Sequence, residues 1–182
     1  MRGPKLPQHS HQNRTETSRG SLPLRDGPMA IILRHQGRMP TNVDAIARDM
    51  GLSVKYLPMG PGRSGAIYRD PESPGQSGFT IEIDSDESRI RQRFTLAHEI
   101  AHYVLHRDLM RLGEKIVDNA MYRSQLSTDY ESQANRLAAD IVMPKNRVRA
   151  HFGDDPDPAS LAKKFEVSQQ AMEIRIKYLG LT

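Results

Sequence analysis

The chain has 182 residues, enough for one globular domain with a real core and at most a small second module. Hydrophobic residues make up 37% and charged residues 26%, and 26 basic against 22 acidic side chains leave a formal charge of +4, too mild an excess to decide for or against nucleic acid. Cysteine is absent, which excludes disulfides and thiolate metal knuckles, and there is neither an apolar leader nor a run near the roughly 20 apolar residues of a membrane span, so the expectation is a soluble, cytoplasmic protein.

Residues 1–27 are rich in Pro, Ser, Gly, Gln and basic side chains. They hold too little apolar surface to offset the entropy of ordering and are expected to form a disordered tail. The remainder is expected to divide into a core over 28–152 and a helical appendage over 153–182. TNVDAIARDM (41–50) places Thr41 and Asp44 at capping-box spacing and meets Gly51, which predicts a short helix. LSVKYLPM, SGAIYRD and SGFTIEID then alternate apolar and polar residues, with MGPGR and DPESPGQSG as turns between them. Three short strands on hairpin-length links predict a small, partly antiparallel sheet.

From about Asp86 to His106 the spacing becomes helical, with acidic residues expected in the first turn and Arg107 at the end. Residues 107–127 carry no clean period. A further helix is expected from about Asp129 to Val142, stopped by Met143 and Pro144, and NRVRAHF reads as a short helix before the break at DDPDP. DPASLAKKFEVSQQAMEIRIKYLG then reads as two helices about a turn at Val167 and Ser168, with Pro158 at a first helical position. The fold class is α+β, a small sheet packed on a central helix with further helices at the C-terminal end.

The central helix contains TLAHEIAHYVLH, residues 95–106. At about 100° per residue, Ile90, Phe94, Leu96, Ala97, Ile100, Ala101, Tyr103, Val104 and Leu105 cover more than half the circumference. His98, His102 and His106 share the remaining arc with Thr95 and Glu99. Histidines four residues apart project from successive turns of one face, so His98 and His102 can reach one zinc ion. Glu99 points about a quarter-turn away; it suits the general base that takes a proton from a metal-bound water and passes it to the leaving amine. The competing reading is an amphipathic helix that merely carries histidines, and a third ligand would weigh against it. Downstream carboxylates include Asp108, Glu114, Asp118, Asp129, Glu131 and Asp140. On DYESQANRLAADIVMP, Tyr130, Ala134, Leu137, Ala138, Ile141 and Val142 form the buried stripe, and Glu131 at its edge is the best placed to complete the site, with Asn135 one turn on as a supporting partner.

HEIAHYVLH followed about thirty residues later by ESQANRLAADIVMP resembles the ImmA/IrrE family of zinc metallopeptidases, and the likeness covers roughly residues 40–181. The resemblance implies a minimal gluzincin-like core in which His98, His102 and Glu131 match the metal ligands and Glu99 the general base. It implies Zn2+ as cofactor and, as partner, an XRE-type helix-turn-helix repressor that the peptidase cleaves or inactivates. Other relatives act as the toxin of a toxin-antitoxin pair, with an antitoxin as partner. Ala101 stands where many members carry Gly, a change a helix accepts readily. His106 is expected to support the site rather than to ligate, since a fourth protein ligand would close it to water. Tyr103, Tyr122 and Tyr130 are candidate oxyanion donors. A different class of function stays open: LAKKFEVSQQAMEIRIKYL has the outline of a helix-turn-helix, with Gln169, Gln170, Arg175 and Lys177 available to DNA, in a protein whose metal site is non-catalytic.

Overall fold

The computed structural model describes residues 27–110, 115–119 and 128–181, the middle segment as backbone only. Of the tail expected over residues 1–27 only Gly27 is described, and Tyr122 and the side chains of Glu114 and Asp118 lie outside the described residues. Helix α1 (Pro28–His35), which buries Ile31 and Ile32, has no counterpart among the expected elements. Pro28 opens it at a position where a missing N–H is harmless. Helix α2 (Val43–Asp49) is capped by Asn42, whose side chain accepts from the Ala45 N–H at 2.9 Å. The expected cap, Thr41, is instead buried.

Strands β1 (Ser53–Leu57), β2 (Arg63–Arg69), β3 (Phe79–Asp84) and β4 (Lys115–Asn119) form one mixed sheet in the order β1-β3-β2-β4. β1 runs parallel to β3, with Val54 opposite Ile81, while β2 is antiparallel both to β3, with Ile67 opposite Ile81, and to β4. The short β1–β2 link is therefore not a hairpin: β3 lies between the two strands. The Asp84 carboxylate at the end of β3 accepts from the Met59 N–H at 3.2 Å, which anchors the link where it crosses that strand end. β4 falls in the stretch without a sequence period.

Helix α3 (Arg89–His106) begins three residues later than expected and has no acid in its first turn. Ser88 takes the cap, and Glu87 before it accepts from the Ser64 hydroxyl at 2.8 Å. Helix α4 (Thr128–Val142) packs directly on α3. Ala97 and Ala101 on α3 and Ala134 and Ala138 on α4 are all fully buried, and such small side chains permit helix axes to approach closely. Helices α5 (Lys145–Asp154), α6 (Pro158–Phe165) and α7 (Gln169–Tyr178) follow. The α6–α7 turn falls where expected, and Ser168 caps α7. One hydrophobic core joins Ile32 and Ile46 to Ile67 and Ile81 of the sheet, to Leu96 and Ile100 of α3, and to Leu161, Phe165 and Met172 of the last two helices. Among the described residues, no helix is long and apolar enough to cross a membrane.

Candidate metal centre

The histidine strip of α3 is buried, with His98 at 3%, His102 at 1% and His106 at 2% exposure. Imidazoles are seldom packed this deeply without partners, and each has one. Nδ1 of His98 lies 3.1 Å from Oδ1 of Asn135, and Nδ1 of His102 lies 3.1 Å from Nδ1 of His106. An amide oxygen only accepts, so the His98 Nδ1–H donates to it and leaves the Nε2 lone pair open. Burial, reinforced by the neighbouring His102, holds His106 below the ordinary imidazole value, so it is a neutral ring that can accept from His102. Both outer contacts thus turn the Nε2 atoms inward.

Those two atoms point at each other, 2.9 Å apart. Glu131 of α4 reaches the same place, with Oε2 at 3.4 Å from His98 Nε2 and Oε1 at 3.4 Å from His102 Nε2. Where those Nε2 atoms carry protons in place of a cation, hydrogen bonding from His102, and then from His98, holds the Glu131 carboxyl well below the usual carboxylate range, against the opposing pull of burial. Lone pairs from two rings and a carboxylate converging on one point repel unless a proton or cation lies among them. One ligand atom from each of His98, His102 and Glu131 lies within 4.8 Å of the others, and they form the one such group of potential metal ligands among the described residues.

Those of the other carboxylates considered whose side chains are described go elsewhere. Asp108 is 90% exposed, Asp129 is exposed at the start of α4, and Asp140 pairs with Arg175. Glu99 is fully buried beside strand β2: a Cβ built on Gly65 would stand 3.1 Å from its Oε1 and 2.5 Å from Cγ2 of Thr95. An isolated glycine within a strand pattern is the sequence sign of such close backbone approach. Of the tyrosines, Tyr103 packs edge-on against Phe79 with centroids 5.2 Å apart, and Tyr130 lies against His106 with centroids 4.8 Å apart and the rings tilted by 56°. Arg175, assigned to a DNA-reading face, is only 3% exposed: it donates to the Met143 carbonyl and pairs with Asp140.

Residues 47–177 match the model of a peptidase family described as the IrrE N-terminal-like domain. The chain is also 37% identical over 122 residues to the radiation response metalloprotease IrrE of Deinococcus radiodurans, a match that covers 65% of this chain. It spans about a third of that relative's length, 34%.

Proposed function

From the premise that this chain belongs to the IrrE N-terminal-like metallopeptidase family, we propose that it is a zinc-dependent endopeptidase whose substrate is a partner helix-turn-helix regulator of the XRE type. The observation that carries this reading is the convergence of His98, His102 and Glu131, with both imidazoles oriented by outer partners. Ligand atoms around a tetrahedral zinc at about 2.0–2.1 Å stand about 3.3–3.4 Å apart; the two oxygens of Glu131 each lie 3.4 Å from one ring nitrogen, and the nitrogens, 2.9 Å apart, need only a small outward turn to reach that spacing. Two nitrogens and one carboxylate oxygen are a donor set typical of hydrolytic zinc and leave a position for substrate.

Zinc held there supplies a Lewis acid that polarises the scissile carbonyl and makes water acidic near neutral pH. His98 and His102 are neutral donors whose protons sit on Nδ1, directed to Asn135 and His106. Glu131 is ionised and offsets part of the charge on the cation. Glu99, on the turn that begins with His98, accepts the proton of the attacking water and delivers it to the leaving amine. Its complete burial excludes bulk water and favours proton transfer over solvation.

Glu99→Gln tests this assignment, because it conserves shape while removing the base. The variant should bind about one zinc per chain and melt with the parent, yet fail to cut purified regulators of the XRE class or any peptide the parent cuts. Undiminished cleavage by Glu99→Gln would remove the mechanism. Retention of zinc after joint replacement of His98 and His102 by alanine would remove the ligand assignment.

A further inference from the structure

On the side of α3 turned away from the metal group, Asp44 of α2, Tyr56 of β1 and Arg89, Gln92 and Arg93 of α3 line an open hollow of about 400 Å³. Arg93 stands about 140° around the helix from His98, at about 100° per residue, and none of His98, Glu99, His102 or Glu131 borders the hollow. The Arg93 side chain is only 10% exposed. Its Nε and Nη2 are sealed from solvent and have no hydrogen-bond partner. The Glu166 carboxylate stands 3.8 Å from Nε, beyond hydrogen-bond reach, and is itself 48% exposed. A guanidinium so deeply packed is ordinarily bonded through several of its nitrogens, so this one is short of a partner. We infer that the hollow is a binding site for a small organic acid, whose carboxylate pairs with Arg93 and Arg89 and whose hydroxyl or amino group donates to Asp44. The site goes beyond the peptidase reading and does not depend on it.

Charge selects an anion. The first turn of α3 contains Arg89 and Arg91 but no acid, although the N-terminal end of a helix favours negative charge. Arg91 pairs with Glu87 at 3.7 Å, which leaves Arg89 and Arg93 as the cations lining the hollow. Burial holds the Arg93 guanidinium below its ordinary value; Glu166 and Asp44 oppose that and Arg89 adds to it. The two guanidiniums thus repel each other, and an anion shared by both relieves the repulsion. Asp44 narrows the choice. The Tyr56 hydroxyl donates to one of its oxygens at 3.0 Å and leaves the second to accept from a ligand. A carboxylate in the wall disfavours a multiply charged anion such as phosphate, and favours a singly charged acid that brings a donor of its own. Size sets the scale: ligand pockets run from about 300 to 1,000 Å³, so this hollow suits a molecule of a few carbons and not a folded segment of polypeptide.

The test is titration of D-glycerate into the intact, isotope-labelled chain, read by nuclear magnetic resonance. The Arg93 Nε–H signal and the backbone signals of Arg89 and Gln92 should shift saturably with a Kd of about 1 mM or below, while those of His98 and His102 stay still. Propionate, which keeps the acid and lacks the hydroxyls, should bind about fivefold more weakly, and Arg93→Met and Arg89→Gln should each weaken glycerate by about tenfold or more. No saturation by about 10 mM, shifts at His98 and His102 in place of Arg93, or propionate and inorganic phosphate binding as tightly as glycerate overturns the proposal. Arg89 is exposed, so Arg89→Gln keeps the test decisive should Arg93→Met fail to fold: undiminished affinity in an Arg89→Gln protein that melts with the parent also overturns it. Saturable binding by a chain that cuts no peptide sustains the site and leaves only the peptidase reading to fall.

Discussion

Gly65→Ala is the sharpest probe of how the sheet sets the proposed base. The added Cβ would stand 2.5 Å from Thr95 Cγ2, 3.1 Å from Glu99 Oε1 and 3.3 Å from the Glu82 carbonyl oxygen. Carbon atoms in good contact are about 3.5–4.0 Å apart, so the methyl pair is too close by about 1 Å. β2 cannot retreat easily, because Gly65 is paired with Ile83 on one side and Asp118 on the other. Thr95 cannot swing into solvent, being 1% exposed. Relief must come from α3, at the turn that carries Glu99. Overpacking of this kind costs about 1–3 kcal/mol, and about 2 kcal/mol lowers Tm by roughly 4–8 °C in a domain of this size. A displacement of about 1 Å at a reacting group lowers turnover by about a hundredfold. Thr95→Ser deletes the offending methyl and should restore both properties in the double variant. The assays are thermal denaturation and kcat, measured with zinc content in parallel. A Gly65→Ala protein as stable and active as the parent, or a double variant no better than the single, would refute this steric account.

His106→Ala should weaken zinc retention by about 10- to 100-fold in chelator competition, since His102 loses the acceptor that orients it at 3.1 Å; unchanged affinity would show that the contact is incidental. Arg175→Met should lower stability by about 1–3 kcal/mol by urea titration, because it strips the donor from the buried Met143 carbonyl; a neutral result would mean that water replaces it. Asp49 lies below the usual carboxylate range, chiefly because it accepts a hydrogen bond from His35 at 2.7 Å. A depressed carboxylate contributes stability that is full above its unfolded pKa and lost as pH falls through its folded one. Asp49→Asn should therefore reduce the loss of stability on acidification below the ordinary carboxylate value, by less than about 1 kcal/mol because the pair is partly exposed. An acid limb of identical slope in the variant counts against the contact.

How far the sequence discloses this molecule depends on which periodicities are local. The histidine strip and Glu131 were legible because a helix converts spacing directly into direction, and α3 and α4 keep their angular order in the structure. The central sheet was legible as strands but not as an order. Alternation in SVKYL and RSGAIYR says that each strand has two faces, not that β3 slips between them. α1 was missed because PMAIILRH is one short apolar run with no cap signal: the Gly27 cap has no side chain to announce it. The acids before α3 were assigned to its first turn because sequence cannot tell which of Asp86, Glu87 and Ser88 has left the helix. Gly65 in a strand pattern signals a close approach, but that Thr95 and Glu99 are what it approaches is visible only once β2 and α3 are placed together.

The C-terminal helices show the same limit with a consequence for function. A helix-turn-helix outline is a statement about two helices and a turn, and α6 and α7 satisfy it. Which side of α7 is offered to a partner is set by what its residues do across the interface. Arg175 is drawn inward by the Met143 carbonyl and Asp140, and its guanidinium carbon lies 5.8 Å from the centre of the Tyr178 ring. Gln169 spends its amide on Glu173 at 2.8 Å. Two of the four residues assigned to a DNA-reading face thus have partners within the chain, while Ile174 and Tyr178 project from the same helix. A surface that neutralises its arginine and exposes apolar side chains is matched to an apolar peptide better than to phosphate.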